Sequence, residues 1–187
     1  MFNGKVFYVH GLGGGLHSST YLGLQEHFND VECLVYPSET MGYSENLKTI
    51  ADKFFATYKG EKTLIVGTSL GGFFSTKLVE EIRSRNFDMN NLRLLIVNPA
   101  INPYKIGVLK ESYPQELVAT YKGIEISQAE SVEKALVLAM DDELLDSQLT
   151  SQKLSAWRQF KFAEGGHSCW NTLGKEIIKI AEDLLSK

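Results

Sequence analysis

At residues 63–72 the sequence is Thr-Leu-Ile-Val-Gly-Thr-Ser-Leu-Gly-Gly, and an amphipathic run continues from there to about Arg85. The apolar, β-branched residues at the start predict a buried strand over 63–66, and the run that follows predicts a helix over 70–85. Between them lies a Gly-x-Ser-x-Gly motif, whose glycines permit a sharp turn from strand to helix. A serine on such a turn projects its hydroxyl away from the backbone, as a nucleophile requires. We therefore predict that Ser69 is a nucleophile on a strand-to-helix turn.

The rest of the chain repeats the order of a short apolar run followed by an amphipathic segment. Apolar runs predict further strands at residues 5–9, 31–35, 92–97, 136–140 and 158–162. Helical spacing of apolar residues predicts helices at 18–29, 44–58 and 170–185, with Ser44 as the cap of the second. Strands separated by helices pair in parallel through crossover connections. We therefore predict one α/β domain over residues 1–187, doubly wound, with a mainly parallel sheet of about six strands and helices on both faces.

Residues 103–130 break this alternation. Pro103 and Pro114 interrupt the segment, tyrosines lie close to both, and the apolar residues show weak periodicity. Such a segment could fold over a binding crevice as a small lid, or it could be an ordinary surface excursion between two strands. Both interpretations stay open from the sequence.

The ligand crevice of a doubly wound sheet lies beyond the carboxyl ends of its strands. Five polar residues directly follow predicted strand ends, namely His10, Ser69, Asn98, Asp142 and His167. Because parallel strands share that edge, we expect a functional site there.

A serine hydroxyl needs a base within hydrogen-bond reach before it can attack a substrate. His167 is the best candidate among the four histidines, because two glycines precede it and give its loop the freedom to present the ring. His17, in a polar loop, and His27, in a predicted helix, are expected at the surface. His10 is expected to be a buried structural residue that supports the loop after the first strand.

The third member of such a site is an acid, which on this kind of serine turn lies between the serine and the histidine in the sequence. An acidic cluster follows the fifth predicted strand and contains Asp141, Asp142, Glu143 and Asp146. One carboxylate is expected to hold the imidazole tautomer and to stabilise the imidazolium that forms during attack. Acidic clusters are also common in solvated loops, so the spacing alone leaves the choice among the four open.

The anionic intermediate of acyl transfer needs preorganised hydrogen-bond donors. One donor is expected to be the backbone N–H of Leu70, the residue after the nucleophile, and the second should come from the loop after the first strand. That loop, residues 10–15, is rich in glycine, and we choose Leu12 as its donor. The substrate-binding residues stay unassigned.

Composition argues against several classes of partner. The net charge is −4 and no cluster of Lys or Arg interrupts it, so nucleic acid is not expected. No apolar stretch approaches the ~20 residues that cross a bilayer, and the first residues lack the features of a signal peptide. We therefore expect no membrane association and a cytoplasmic location.

Cys33 and Cys169 are expected as free thiols, no metal site or cofactor is predicted, and the oligomeric state stays open.

The motifs together resemble those of one family. They are Tyr8-Val9-His10-Gly11, residues 66–72, Val97-Asn98-Pro99-Ala100, residues 142–146 and Glu164-Gly165-Gly166-His167. In this order, through nearly the whole chain, they resemble the YqiA-like small bacterial esterases of the α/β-hydrolase superfamily. The resemblance implies an α/β-hydrolase fold, a triad of Ser69, Asp142 and His167, no cofactor, and carboxylic-ester or thioester substrates.

Within the acidic cluster, the resemblance implies Asp142 as the acid. Its neighbour Asp141 is expected to point the opposite way, since successive residues leaving a strand alternate in direction, and Asp146 is expected in the next helix or its first turn. We predict a serine hydrolase that cleaves a small-molecule carboxylic ester or acyl thioester through an acyl-enzyme intermediate. The alternative is a non-catalytic interaction protein that keeps the α/β-hydrolase fold, because a fold does not determine function.

Overall fold

A parallel β-sheet forms the centre of the protein in the computed structural model, which describes residues 2–187. Over these residues the strands are β1 (Phe2–Val9), β2 (Phe28–Cys33), β3 (Thr63–Thr68), β4 (Leu92–Val97), β5 (Glu133–Ala139) and β6 (Arg158–Phe162). Their order across the sheet is β2-β1-β3-β4-β5-β6, and every neighbouring pair is parallel. The predicted six-stranded α/β architecture is therefore confirmed.

Helices cover both faces of this sheet. Over the described residues they are α1 (Ser19–His27), α2 (Tyr43–Thr57), α3 (Leu70–Ser84), α4 (Gly107–Ser112), α5 (Gln115–Ala119), α6 (Ser147–Lys153) and α7 (Trp170–Ser186), with a 3₁₀ turn at Pro103–Lys105. Helices α1 and α7 pack on one face, and α2 and α3 pack on the other. None of the helices in this part of the chain combines the length and the apolar character needed to cross a bilayer.

The two faces of the sheet are both buried, which explains the unbroken apolar runs in the strands. In β1, Phe7 and Val9 pack with the core between the sheet and α2 and α3, whereas Val6 and Tyr8 pack with α1 and α7. All four side chains are at most 1% exposed. Burial of one such side chain contributes about 1.5–3 kcal/mol, so the central strands are fixed in register and their carboxyl ends are held in place.

The predicted elements agree with the structure in type, and some of their bounds differ. Both β4 and β6 have the predicted bounds. The second strand, in contrast, is Phe28–Cys33 rather than 31–35. It lies at the edge of the sheet and pairs only with β1, and its residues after Phe28 are exposed or half-buried up to Cys33. No apolar run therefore marks its beginning in the sequence.

The predicted capping role of Ser44 is wrong. Helix α2 begins at Tyr43, and the residue before it is Gly42, in an extended conformation without a side-chain cap. The Tyr43 N–H donates instead to Thr120 Oγ1, at 2.9 Å. One of the unpaired N–H groups of the first helical turn thus bonds to a side chain that is distant in the sequence, instead of to an N-cap side chain. A Cβ atom at Gly42 would lie 2.8 Å from Thr120 Cγ2, so this close approach requires glycine.

Candidate active site

Ser69 lies between β3 and α3 on a strained turn, with φ 52° and ψ −121°. The positions of Gly67 and Gly71, on either side of Ser69, have no room for a side chain. A Cβ at Gly67 would lie 2.3 Å from Ser75 Oγ, and a Cβ at Gly71 would lie 2.0 Å from the Val9 carbonyl oxygen. Neither position can accept a side chain while the helix starts this close to the strands. The turn therefore holds the Ser69 hydroxyl at the carboxyl edge of the sheet.

A continuous chain of hydrogen bonds joins Ser69, His167 and Asp142. The distance from Ser69 Oγ to His167 Nε2 is 2.9 Å, and the distance from His167 Nδ1 to Asp142 Oδ2 is 2.9 Å. We assign the ring proton to Nδ1, which donates to the carboxylate, so that Nε2 can accept the serine hydroxyl. The structure thus brings together the three residues that the sequence proposes as nucleophile, base and acid.

Both oxygens of the Asp142 carboxylate accept hydrogen bonds, which hold the side chain in place. The other oxygen, Oδ1, accepts the backbone N–H groups of Leu144 at 2.8 Å and Leu145 at 2.9 Å. Its side chain is fully buried, while that of His167 is 14% exposed. A carboxylate held in this way fixes the tautomer and the orientation of the imidazole.

The neighbouring acids hold the loop that carries His167. Asp141 accepts the N–H groups of Gly166 at 2.8 Å and Gly165 at 3.2 Å. The hydrogen bond from Gly166 lowers the pKa of the Asp141 carboxyl, with a further contribution from Gly165. Glu143 accepts the backbone N–H of His167 at 2.9 Å. Both side chains therefore contact the backbone of the loop and leave the imidazole ring to Asp142.

Asp146 has a local role at the start of a helix. It is the N-cap of α6, and its Oδ1 accepts the Leu149 N–H at 2.8 Å. Such a cap satisfies one of the unpaired donors of the first helical turn. The carboxylate of Asp146 therefore belongs to the helix, as the sequence suggests.

His10 is fully buried and structural. Its Nε2 accepts the Tyr36 N–H at 3.2 Å, its Nδ1 lies 2.7 Å from the Gly11 carbonyl oxygen, and its ring stacks on Tyr36 at 4.3 Å between centroids. Burial lowers the pKa of His10, so the ring is held neutral with its proton assigned to Nδ1. The other candidates, His17 and His27, are exposed.

The loop after β1 lies directly against the nucleophile. A Cβ at Gly11 would lie 3.3 Å from Ser69 Cβ, and the next residue, Leu12, lines the same cavity as Ser69 and Leu70. Leu70 is the first residue of α3, where backbone N–H groups lack partners within the helix. The two residues proposed as oxyanion donors thus both line the cavity that contains Ser69.

Asn98 connects three elements of the site, and its role was not predicted. Its Nδ2 donates to the carbonyl oxygens of Gly166 at 3.0 Å and His167 at 3.2 Å, and its Oδ1 accepts the Ala139 N–H at 2.9 Å. The residue is 2% exposed and has a φ of 41°, a conformation that asparagine adopts more readily than most residues. Its position directly after a buried strand placed Asn98 among the five polar residues expected near the site, but it did not indicate the bonds to the loop of His167.

A cavity of about 300 Å³ opens beside Ser69 and His167. This volume is at the lower end of the range for small-molecule sites. Ile106 and Leu109, from the segment 103–130, form part of its wall. This part of the segment therefore borders the crevice, and the sequence-based alternatives of a lid and a surface excursion both stay open. Among the described residues there is no group of three or more His, Cys, Asp or Glu side chains that could hold a metal ion.

Solved structures of low sequence identity share this architecture. The ydeN gene product of B. subtilis aligns with a TM-score of 0.73 and 18% identity, over 99% of this chain and 100% of that chain. The type II thioesterase BorB from the borrelidin biosynthetic cluster aligns with a TM-score of 0.70 and 15% identity, over 98% and 91%. The α/β-hydrolase domain-containing protein 10 from mouse aligns with a TM-score of 0.69 and 12% identity, over 97% and 89%. At these identities the likeness shows the fold, which is the α/β-hydrolase fold.

Sequence comparison adds the family. None of the curated proteins matches the sequence significantly. The profile of the uncharacterised protein family UPF0227 matches residues 5–182, nearly the whole chain. The match agrees with the YqiA-like resemblance of the motifs, and the chain belongs to the UPF0227 family.

Proposed function

We propose that this protein is a serine hydrolase that cleaves a carboxylic ester or an acyl thioester through an acyl-enzyme intermediate. The observation that carries the proposal is the hydrogen-bond chain from Ser69 Oγ through the His167 ring to Asp142, with 2.9 Å at each step. A hydroxyl, an imidazole and a buried carboxylate in this order can activate the hydroxyl at neutral pH. The thioesterase BorB, with the same fold, supports thioesters as one of the two substrate classes.

In the acylation step, His167 Nε2 takes the Ser69 proton while Oγ attacks the substrate carbonyl carbon. The resulting oxyanion accepts hydrogen bonds from the backbone N–H groups of Leu12 and Leu70. The imidazolium is stabilised by Asp142 and then gives its proton to the leaving alcohol or thiol as the carbon–oxygen or carbon–sulfur bond breaks. The product of this step is an acyl-Ser69 ester.

Deacylation repeats these steps with water. His167 takes a proton from a water molecule, the water oxygen attacks the acyl carbon, and the same two backbone donors hold the second oxyanion. Collapse of this intermediate returns the proton to Ser69 Oγ and releases the carboxylic acid. Each group is therefore restored for a further cycle.

A fluorophosphonate probe tests the proposal, because it reacts with an activated serine. We expect stoichiometric labelling of the wild type and none of Ser69→Ala. The matched control is Ser84→Ala, at the exposed end of the same helix, which should label as the wild type does. A panel of esters and acyl thioesters of graded chain length, run with the same three proteins, then separates the two substrate classes. An unlabelled wild type would instead favour the non-catalytic interaction protein.

A further inference from the structure

The cavity beside Ser69 has two chemically different walls. On the side of α2 and α3, the wall is apolar and is formed by Leu12, Leu70, Ala100, Ile106 and Leu145, which pack on the core of that face. On the side of α1 and α7, the wall contains a group of hydroxyls, called here the hydroxyl wall, formed by Tyr8, Ser18, Thr20 and Thr68. The nucleophile lies between the two walls.

Within the hydroxyl wall, Tyr8 and Thr68 share one hydrogen bond of 2.8 Å between their oxygens. The Tyr8 hydroxyl also bonds to Ser18 and Thr20, so the four hydroxyls form one hydrogen-bonded group. Hydroxyl hydrogens rotate to suit their partners and each oxygen has two lone pairs, so this group can admit a further hydroxyl. Burial raises the pKa of Tyr8 while hydrogen bonding to Ser18, Thr68 and Thr20 opposes that effect. The phenol is therefore a neutral donor and acceptor at physiological pH.

The surroundings disfavour a charged leaving group. Among the residues whose side chains the structure describes, the cavity wall contains no Lys, Arg, Asp or Glu. The loops that carry Asp142 and His167 expose further acids, namely Asp141, Glu143 and Glu164. An anion such as a phosphate would find no cation in the described wall and acids on the neighbouring loops, and a cation would find no carboxylate in that wall.

The leaving group must lie on the side of His167, because that residue gives it a proton. Beyond Ser168, the next residues Cys169 and Trp170 pack in the same core as Tyr8, on the face of α1 and α7, and all three line the cavity. The hydroxyl wall is therefore on the leaving-group side. The opposite, apolar wall is left for the acyl chain.

We propose that the leaving group of the substrate is an uncharged alcohol with further hydroxyls, such as glycerol, which binds the hydroxyl wall while the acyl chain binds the apolar wall. This inference rests on the proposed ester hydrolysis. It narrows the substrate class to acyl esters of neutral polyols. Each free hydroxyl of the alcohol can replace its hydrogen bond to water by one to the hydroxyl of Tyr8, Thr68 or Thr20.

Four octanoyl esters test the inference, because they share one acyl chain and differ in the alcohol. These are the esters of ethanol, glycerol, glycerol phosphate and choline. We expect the kcat/KM of the wild type to be at least about fivefold higher for the glycerol ester than for the ethyl ester, the effect of one neutral hydrogen bond. The phosphate and choline esters should both be poorer substrates than the glycerol ester.

Variants then connect the preference to the hydroxyl wall. In Tyr8→Phe we expect the glycerol-to-ethyl ratio of kcat/KM to fall about fivefold. The matched control is Tyr21→Phe, which removes a phenol that stacks on Tyr8 at 6.1 Å and is bonded to Gln25 outside the cavity wall. Its ratio should equal that of the wild type. Thr20→Val is the second variant, in case Tyr8→Phe melts at a much lower temperature.

The outcomes separate the two proposals. Equal kcat/KM for the glycerol and ethyl esters in the wild type would overturn the inference and leave ester hydrolysis intact. A preference that survives in both Tyr8→Phe and Thr20→Val, or a choline ester that exceeds the glycerol ester, would overturn it as well. If no ester in the set were hydrolysed above the rate of Ser69→Ala, ester hydrolysis itself would fail, and the inference with it.

Discussion

The side-chain amide of Asn98 donates to the backbone carbonyl of His167, at 3.2 Å, and so connects the end of β4 to the loop that carries the candidate base. The same amide also bonds Gly166 and the end of β5. The position of the imidazole is therefore set from two sides, by Asp142 at the ring and by Asn98 at the backbone.

We expect Asn98→Asp to lower kcat far more than it changes KM. The variant replaces a donor by an oxygen that faces the carbonyls of Gly166 and His167, in a position that is 2% exposed. Leaving these buried acceptors unsatisfied should cost about 1–3 kcal/mol of stability and displace the ring. Steady-state kinetics and urea denaturation would measure both effects. The exposed Asn90→Asp serves as the control, and a wild-type kcat in folded Asn98→Asp would contradict the positioning role.

The three aspartates after β5 should give three different results on change to asparagine. Asp142→Asn should cost up to about 10⁴-fold in turnover, as in the serine proteases, because an amide favours the wrong imidazole tautomer. Asp141→Asn should cost much less, because it weakens only two bonds to the loop backbone. Asp146→Asn should retain turnover, because asparagine also caps helices well. Turnover and thermal melting of the three proteins side by side would test this, and a large loss for Asp141 or Asp146 alone would reassign the acid.

The strained turn at Ser69 predicts that glycine at this position gives a more stable protein than alanine does. Ser69 has φ 52° and ψ −121°, a conformation that glycine adopts without the steric cost that a Cβ atom brings. We therefore expect Ser69→Gly to unfold at a higher urea concentration than Ser69→Ala, by about 1 kcal/mol or more in free energy. Both variants should lack esterase activity. Equal midpoints for the two proteins would show that the turn is not strained.

Burial of His10 predicts a loss of stability in mild acid. Burial lowers its pKa in the folded protein, whereas the unfolded chain takes up a proton at about pH 6.5. Between these two values the unfolded state binds more protons, so the free energy of unfolding falls as the pH falls below about 6.5. Urea denaturation at several pH values, with His10→Gln as the comparison, measures this slope. The variant should be less stable than the wild type at neutral pH, and its free energy of unfolding should fall less as the pH is lowered. Equal slopes of the free energy of unfolding against pH in the two proteins would contradict the lowered pKa of His10.

The sequence predicts the sheet well because its central strands are buried on both faces and give unbroken apolar runs. It misses α6 because the run Ser147–Lys153 contains a single large apolar residue, Leu149, which is 51% exposed. The short helices α4 and α5 were also missed, since the prolines around them obscure any periodicity. The bonds of Asn98 cross from β4 to a loop that follows β6, and a single sequence does not display such pairing.

The strained turn at Ser69 is coupled to the neighbouring turn after β4. Ser69 N–H donates to the Val97 carbonyl at 3.1 Å, Ala100 N–H donates to the Ser69 carbonyl at 3.0 Å, and Asn98 between them also has a positive φ. Neither turn can relax without breaking bonds to the other and to the ends of two central strands. The nucleophile should therefore exchange its amide hydrogen only on global opening, and heating should inactivate the protein at the same temperature at which the whole domain unfolds.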